Sequence, residues 1–130
     1  MIMNEVAYSA VVLDQKSRSR LLERFKPMIP EDWEVIADHM TINLGEINPE
    51  YQKYLGLNVR LTVNDIAMDD KVIALGVSVT GFESTNAKPH ITLAVNRIEG
   101  GKPYMSNKLT DWKSIGRPLL LTGKITEISK

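Results

Sequence analysis

Two short stretches decide how this chain reads: Asp38-His39-Met40-Thr41-Ile42-Asn43-Leu44 and Pro89-His90-Ile91-Thr92-Leu93-Ala94-Val95. Each is a His-x-Thr pattern with apolar residues interleaved. On a β-strand, side chains at i and i+2 lie on one face. His39 and Thr41 therefore point together, as do His90 and Thr92. Met40, Ile42 and Leu44 point the other way, as do Ile91, Leu93 and Val95, and these apolar residues can anchor the strands to a core. Side-by-side strands would bring both polar pairs to one surface. A lone His-x-Thr on a strand is ordinarily a half-buried polar residue with a satisfied hydrogen bond. Here the two copies use both of the chain's 2 histidines, which points to a shared site.

Two imidazoles suit phosphoryl transfer at a diester. With an ordinary pKa near 6.5, one ring is neutral and the other protonated at neutral pH after a small shift. The neutral ring takes a proton from the attacking water or hydroxyl, and the protonated ring gives one to the departing oxygen. The hydroxyls of Thr41 and Thr92 can donate to non-bridging phosphate oxygens. The candidate catalytic residues are thus His39, His90, Thr41 and Thr92. A zinc site on the histidines and Asp38 lacks a third ligand at metal-ligand spacing. The expectation is therefore no metal and no cofactor.

Outward from the motifs, Val6 to Leu13 reads as a buried strand. Asp14 is a plausible helix cap, and Leu21, Leu22 and Phe25 recur at helical spacing until Pro27 and Pro30 end the helix. Trp33 to Leu44 reads as one long strand, and Gly45 to Gly56 as a loop holding Tyr51 and Tyr54. Leu57 to Met68 alternates cleanly, and Asp69-Asp70 turns it into Val72 to Thr80, a hairpin. Pro89 to Asn96 is a further strand, Gly100 to Pro103 a loop, Ser106 to Lys113 a short helix, and Leu119 to Ile128 a closing strand. One long helix and about six strands indicate an α+β domain spanning 1–130.

Around the motifs, Tyr8 on the first strand and Tyr104 after the second motif are candidates to stack a base, worth ~1–3 kcal/mol each. Lys88, with Arg97 and Lys102, flanks the second motif and is a candidate for phosphate; Ser106 and Asn107 are candidates for substrate contact. Trp33 and Trp112 read as packing residues.

Composition bounds the rest. At 130 residues, 43% hydrophobic and 25% charged, the chain is an ordinary globular domain rather than a disordered or fibrous one. Its 16 basic and 16 acidic residues cancel. Proteins that track long nucleic acids usually carry a strong basic excess. A small nucleotide, a cyclic oligonucleotide or an RNA end therefore fits better than a duplex, with room left for a local basic patch. No apolar run approaches the ~20 residues of a membrane span. The absence of cysteine excludes disulfides and thiolate chemistry. Met1 to Glu5 shows no basic region leading into an apolar one, so the expected location is cytoplasmic.

With these motifs in place, the chain resembles the two-histidine (2H) phosphoesterase superfamily, the LigT-like or 2′-5′ RNA ligase-like proteins. The likeness runs through most of the chain in order. The flanks Ala37-Asp38-His39-Met40-Thr41 and Lys88-Pro89-His90-Ile91-Thr92-Leu93-Ala94-Val95 look most like tRNA-ligase-type phosphodiesterases and small RNA-repair-like proteins of bacteria and phages. The resemblance implies a bilobal fold of two antiparallel β lobes about a pseudo-twofold axis, with the motifs facing a central cleft. It implies an activity on 2′,3′-cyclic phosphates, 2′-5′ linkages or cyclic oligonucleotide signals, with His39 as acid and His90 as base. The chain is shorter than many relatives and its motifs are closely spaced, so helices of larger members are expected to be missing. The competing expectation is a module that binds a nucleotide or RNA end without turnover.

Overall fold

In the computed structural model, residues 5–79, 84 and 88–130 are described. The elements run β1 (Val6–Leu13), α1 (Gln15–Phe25), β2 (Glu34–Val35), β3 (His39–Leu44), β4 (Asn58–Met68), β5 (Val72–Val79), β6 (His90–Val95) and β7 (Lys113–Ser129). The class is α+β with antiparallel strands, as the patterning implies.

The helix begins where a carboxylate satisfies an otherwise free N–H: Asp14 Oδ1 accepts from Ser17 N at 2.7 Å. It ends in the 3-10 turn Lys26–Met28, which holds Pro27. Leu21 and Phe25, four residues apart, are buried on one face. The β4–β5 hairpin turns on Asp69, whose Oδ1 accepts from Lys71 N and Val72 N at 2.8 and 2.9 Å.

The strands form one sheet in the order β2-β6-β3-β1-β7-β4-β5, and β5 also pairs with β6. The six long strands thus close into a ring, with β2 as an appendage on β6. Val11, Met40, Ile42, Leu61, Leu75, Ile91 and Leu121 are fully or almost fully buried in the main cluster, which Leu21 and Phe25 of α1 join. Burying one such side chain contributes ~1.5–3 kcal/mol. Trp33 packs against this cluster. Trp112 packs against a smaller one made of Ala67, Val72, Ala74, Val95 and Leu109.

The fold departs from the sequence reading in several places. Trp33 to Leu44 is not one strand. It breaks between β2 and β3, where Ala37 has φ 46°, a conformation that no strand continues through. Both pieces lie on the same edge of β6: Val35 opposite Ala94, then Met40 opposite Ile91. Two extra residues on the β2–β3 side therefore bulge out of the ladder just ahead of His39. Arg18 of α1 holds the bulge, donating to the carbonyls of Ala37 (3.1 Å) and Ile36 (3.2 Å).

The short helix expected over Ser106 to Lys113 is instead a 3-10 segment, Pro103–Lys108, and Lys113 already belongs to β7. The closing strand starts earlier than Leu119, because β4 pairs with Lys113 and Ser114 as well as with Leu119 onward. Between them Gly116 (φ 82°) and Pro118 loop out and hide the strand in the sequence. The Gly45 to Gly56 loop contains a 3-10 segment, Pro49–Tyr54. The expected end of β5 at Thr80, and Met1 to Asn4, lie outside the described residues.

Candidate active site

β3 and β6 run antiparallel with Met40 opposite Ile91. Continuing that register by one residue each way sets Thr41 beside His90 and His39 beside Thr92. Each histidine thus stands across from the threonine of the other motif, and the two histidines occupy a diagonal. Directly paired Cβ atoms lie about 4.5–5.5 Å apart and diagonal neighbours up to about 7–8 Å, a spacing that admits a phosphate between the rings. All four side chains line one cleft of about 280 Å³, together with Tyr8, Leu44, Pro103, Tyr104 and Asn107.

The two imidazoles are held differently. His39 gives its Nδ1–H to Asp38 Oδ1 in a short contact, and the Tyr8 ring stacks on it with centroids 5.1 Å apart. The hydrogen bond from His39 holds the Asp38 carboxyl below its ordinary range; burial opposes this, and the charges of His39 and Arg18 reinforce it. Neighbouring residues on a regular strand point to opposite faces, so Asp38 reaches its neighbour only because of the bulge at Ala37.

His90 is buried and donates its Nδ1–H to the Lys88 carbonyl at 2.7 Å. A carbonyl only accepts, so Nδ1 carries the proton in the neutral ring and Nε2 keeps its lone pair. Burial pushes the His90 pKa below the ordinary imidazole value, the Lys88 hydrogen bond opposes that, and the charge of His39 adds to the depression.

The threonines also differ. Thr92 Oγ1 lies 2.8 Å from the buried Ser106 Oγ and 3.4 Å from the Pro103 carbonyl. If Ser106 donates, the Thr92 proton goes to the Pro103 carbonyl, a long bond that a phosphate oxygen in the cleft can replace. Thr41 lines the cleft with no side-chain hydrogen bond among the described residues.

Of the flanking candidates, Tyr8 and Tyr104 line the cleft. Burial and the Asp38 charge raise the Tyr8 pKa, so its hydroxyl stays protonated. Ser106 lies behind Thr92 rather than in the cleft. The Lys88 ammonium turns away to Asp65 Oδ2 (2.6 Å) and over the Trp112 ring (5.1 Å), and only its carbonyl serves the site. Arg97 is paired with Glu34, and Lys102 does not line the cleft. Leu44, expected to anchor β3 to the core opposite Thr41, is exposed and lines the cleft instead, because the pairing with β1 slips at Ile42 and breaks the alternation. Sequence reasoning also missed Pro103 as a lining residue and Asp38 as the partner of His39. The signal for Asp38 was its adjacency to the motif, but the backbone break that makes the contact has no mark in the residue types. Among the described residues, no group of three or more His, Asp or Glu comes together to hold a metal.

Behind His90, Gly76 of β5 faces it across the ladder and Asp65 of β4 faces Gly76. The missing side chain at Gly76 is filled by Asp65 and Lys88, since a Cβ there would fall 2.9 Å from both Asp65 Cγ and Lys88 Cε.

No curated protein matches the chain significantly. The family described as the fungal tRNA ligase phosphodiesterase domain, a 2H phosphoesterase family, matches residues 15–126, which hold both motifs and every strand except the first and the end of the last. On that match over most of its length, the chain belongs to the fungal tRNA ligase phosphodiesterase domain family.

Proposed function

We propose that this phosphodiesterase domain hydrolyses a 2′,3′-cyclic phosphate, or a related RNA or oligonucleotide diester, by metal-independent acid–base catalysis between His39 and His90. The carrying observation is the unequal treatment of two imidazoles in one cleft, a carboxylate on Nδ1 of His39 and a backbone carbonyl on Nδ1 of the buried His90. The carboxylate on Nδ1 orients the His39 ring and suits it to the role of acid, which gives its Nε2 proton to the leaving group. Burial favours a neutral His90 with a free Nε2 lone pair.

Water enters opposite the leaving oxygen and gives its proton to His90 Nε2 as its oxygen bonds to phosphorus. The P–O bond to the ribose oxygen breaks, and that oxygen takes the proton of His39 Nε2. A cyclic phosphate becomes a monoester. Thr41 and Thr92 donate to the non-bridging oxygens as charge builds there, while Tyr8 and Tyr104 are placed to stack the base.

The cleft volume of about 280 Å³ suits a nucleotide or a chain end rather than a duplex. A two-lobed layout is supported by the ring order, in which β3, β1 and β7 follow one another on one side and β6, β5 and β4 on the other. The family description supports an RNA end as substrate, and a cyclic oligonucleotide is the second substrate of this reading. We place the activity in the cytoplasm.

The test is incubation with 2′,3′-cyclic nucleotides, 2′-5′ dinucleotides and cyclic oligonucleotides, with and without EDTA, product being read by chromatography. Turnover insensitive to EDTA is expected. Binding without product across the panel would mark a non-catalytic module. Activity lost to EDTA and restored by zinc or manganese would replace the mechanism.

A further inference from the structure

In a chain whose charges cancel, three arginines gather at a second concavity with no carboxylate in its lining. Arg20 and Arg24 of α1, together with Arg117, Pro118, Leu119 and Leu120 of β7, border a pocket of about 460 Å³. It shares no residue with the histidine cleft. In the ring, the β7–β4 seam lies opposite the β3–β6 seam that carries the motifs.

The pocket is built by the bulge in β7. Ser114 still pairs with Asp65, and Leu119 with Val63, so four residues of β7 loop out between them. Gly116 turns the loop with φ 82°. Arg24 ties it to the helix by donating from Nη2 to the Ile115 carbonyl at 3.2 Å. One helical turn earlier, Arg20 is exposed on the same face of α1. The exposed Arg117 lies in the loop and lines the same pocket as the two helix arginines. Among the described residues, none of the three enters an ion pair. Bulges of this kind commonly re-aim a side chain for function.

We propose that this pocket is a second phosphate site, which holds the backbone of an RNA whose end occupies the histidine cleft. Planar guanidinium forks match phosphate oxygens two at a time, and the apolar floor of Pro118, Leu119 and Leu120 accommodates the sugar or base face beside them. An extended single strand passing around the ring reaches both places. A membrane is the poorer fit, because Leu120 is the one large exposed hydrophobic residue in the lining. The inference rests on the phosphodiesterase reading only for what lies in the cleft.

The test is an Arg20→Gln/Arg117→Gln double variant. Both residues are exposed and, among the described residues, no hydrogen bond of theirs holds the fold, so an unchanged melting temperature is the control. Two probes are used: a 2′,3′-cyclic mononucleotide, and a single-stranded RNA of about twenty nucleotides with a 2′,3′-cyclic phosphate end. The variant is expected to keep its kcat/KM on the mononucleotide. Its KM and Kd for the RNA should rise about tenfold. The slope of log K against log salt should shrink by about 1.4, the value for two single-strand phosphate contacts. Unchanged RNA affinity and slope in the variant overturn the proposal, as does arginine-dependent binding to phosphatidylserine vesicles without binding to RNA. If neither probe is turned over, the catalytic reading fails separately, and fluorescence anisotropy of the RNA still decides this site.

Discussion

Replacing Gly76 with alanine adds one methyl group beneath the Asp65–Lys88 pair. The backbone of Gly76 accepts any residue, since its φ is not among the positive ones, so the effect is steric. The new Cβ lies 2.9 Å from Asp65 Cγ and from Lys88 Cε, too close for either to stay. Displacing the half-exposed pair forfeits about 0.2–1 kcal/mol, and lifting Lys88 from Trp112 about 0.5–1 kcal/mol. Asp65 Oδ1 is buried without a partner, so its release to water returns part of that. The net loss is about 0.5–1.5 kcal/mol, or a fall in Tm of roughly 2–6 °C for a chain of this size. Catalysis should lose more, because the Lys88 carbonyl fixes His90 Nδ1. Misplacing a proton-transfer group by a fraction of an ångström to one ångström costs about 10- to 100-fold in kcat/KM. Water entering behind the ring should also weaken the depression of the His90 pKa, moving the acid limb of the pH–rate profile upward. Thermal unfolding and hydrolysis of a 2′,3′-cyclic nucleotide across pH 4–9 measure both. In an Asp65→Ala background the stability cost of Gly76→Ala should largely vanish. An identical cost in that background, or a parental kcat/KM and acid limb in Gly76→Ala itself, would refute the argument that Asp65 and Lys88 position His90.

The other predictions test the cleft directly. His39→Ala and His90→Ala should each lower kcat by roughly 10²–10⁴-fold; a p-nitrophenyl leaving group should rescue His39→Ala far better than His90→Ala, and the reverse pattern would exchange acid and base. Thr92→Val should cost at most about 2.7–4 kcal/mol of transition-state stabilisation, and Ser106→Ala less, read as kcat at saturating substrate; equal losses would show that Ser106 itself binds phosphate. The depressed pKa of His90 makes stability pH-dependent: below about 6.5 the unfolded chain takes up this proton first, so stability is full above that pH and falls as pH drops toward the folded value. Urea titrations of the parent and His90→Gln should differ in that slope, and parallel curves would sink the assignment.

The polar face of the site was legible because strand periodicity is short and strict: His39 with Thr41, and His90 with Thr92, share a face whatever the rest of the fold does. The pairing of β4 with β5 and the Asp14 cap were legible for the same reason, each depending on residues close in sequence. What escaped was set by contacts from far along the chain. The break at Ala37 depends on Arg18 and on the edge of β6, and alanine has no intrinsic preference for a left-handed backbone. The early start of β7 was masked by Gly116 and Pro118, which read as the end of a loop although β4 pairs on both sides of them. Lys88 looked like a phosphate ligand because it adjoins the motif; Asp65, on another strand, claims it instead.

A sheet that closes on itself offers little to a passing strand. In an open sheet the outermost strand leaves a row of free N–H and C=O groups, which invites edge-to-edge aggregation, domain exchange or recognition of extended peptides by strand addition. Among the described residues, β5 and β6 join, and the outlying strand is β2, two residues long. Partners and substrates must therefore be recognised through side chains and loops, not by lengthening the ladder. A nucleic-acid ligand, which has no amides to pair, loses nothing by that restriction, whereas β-rich neighbours in a crowded cell find almost no template.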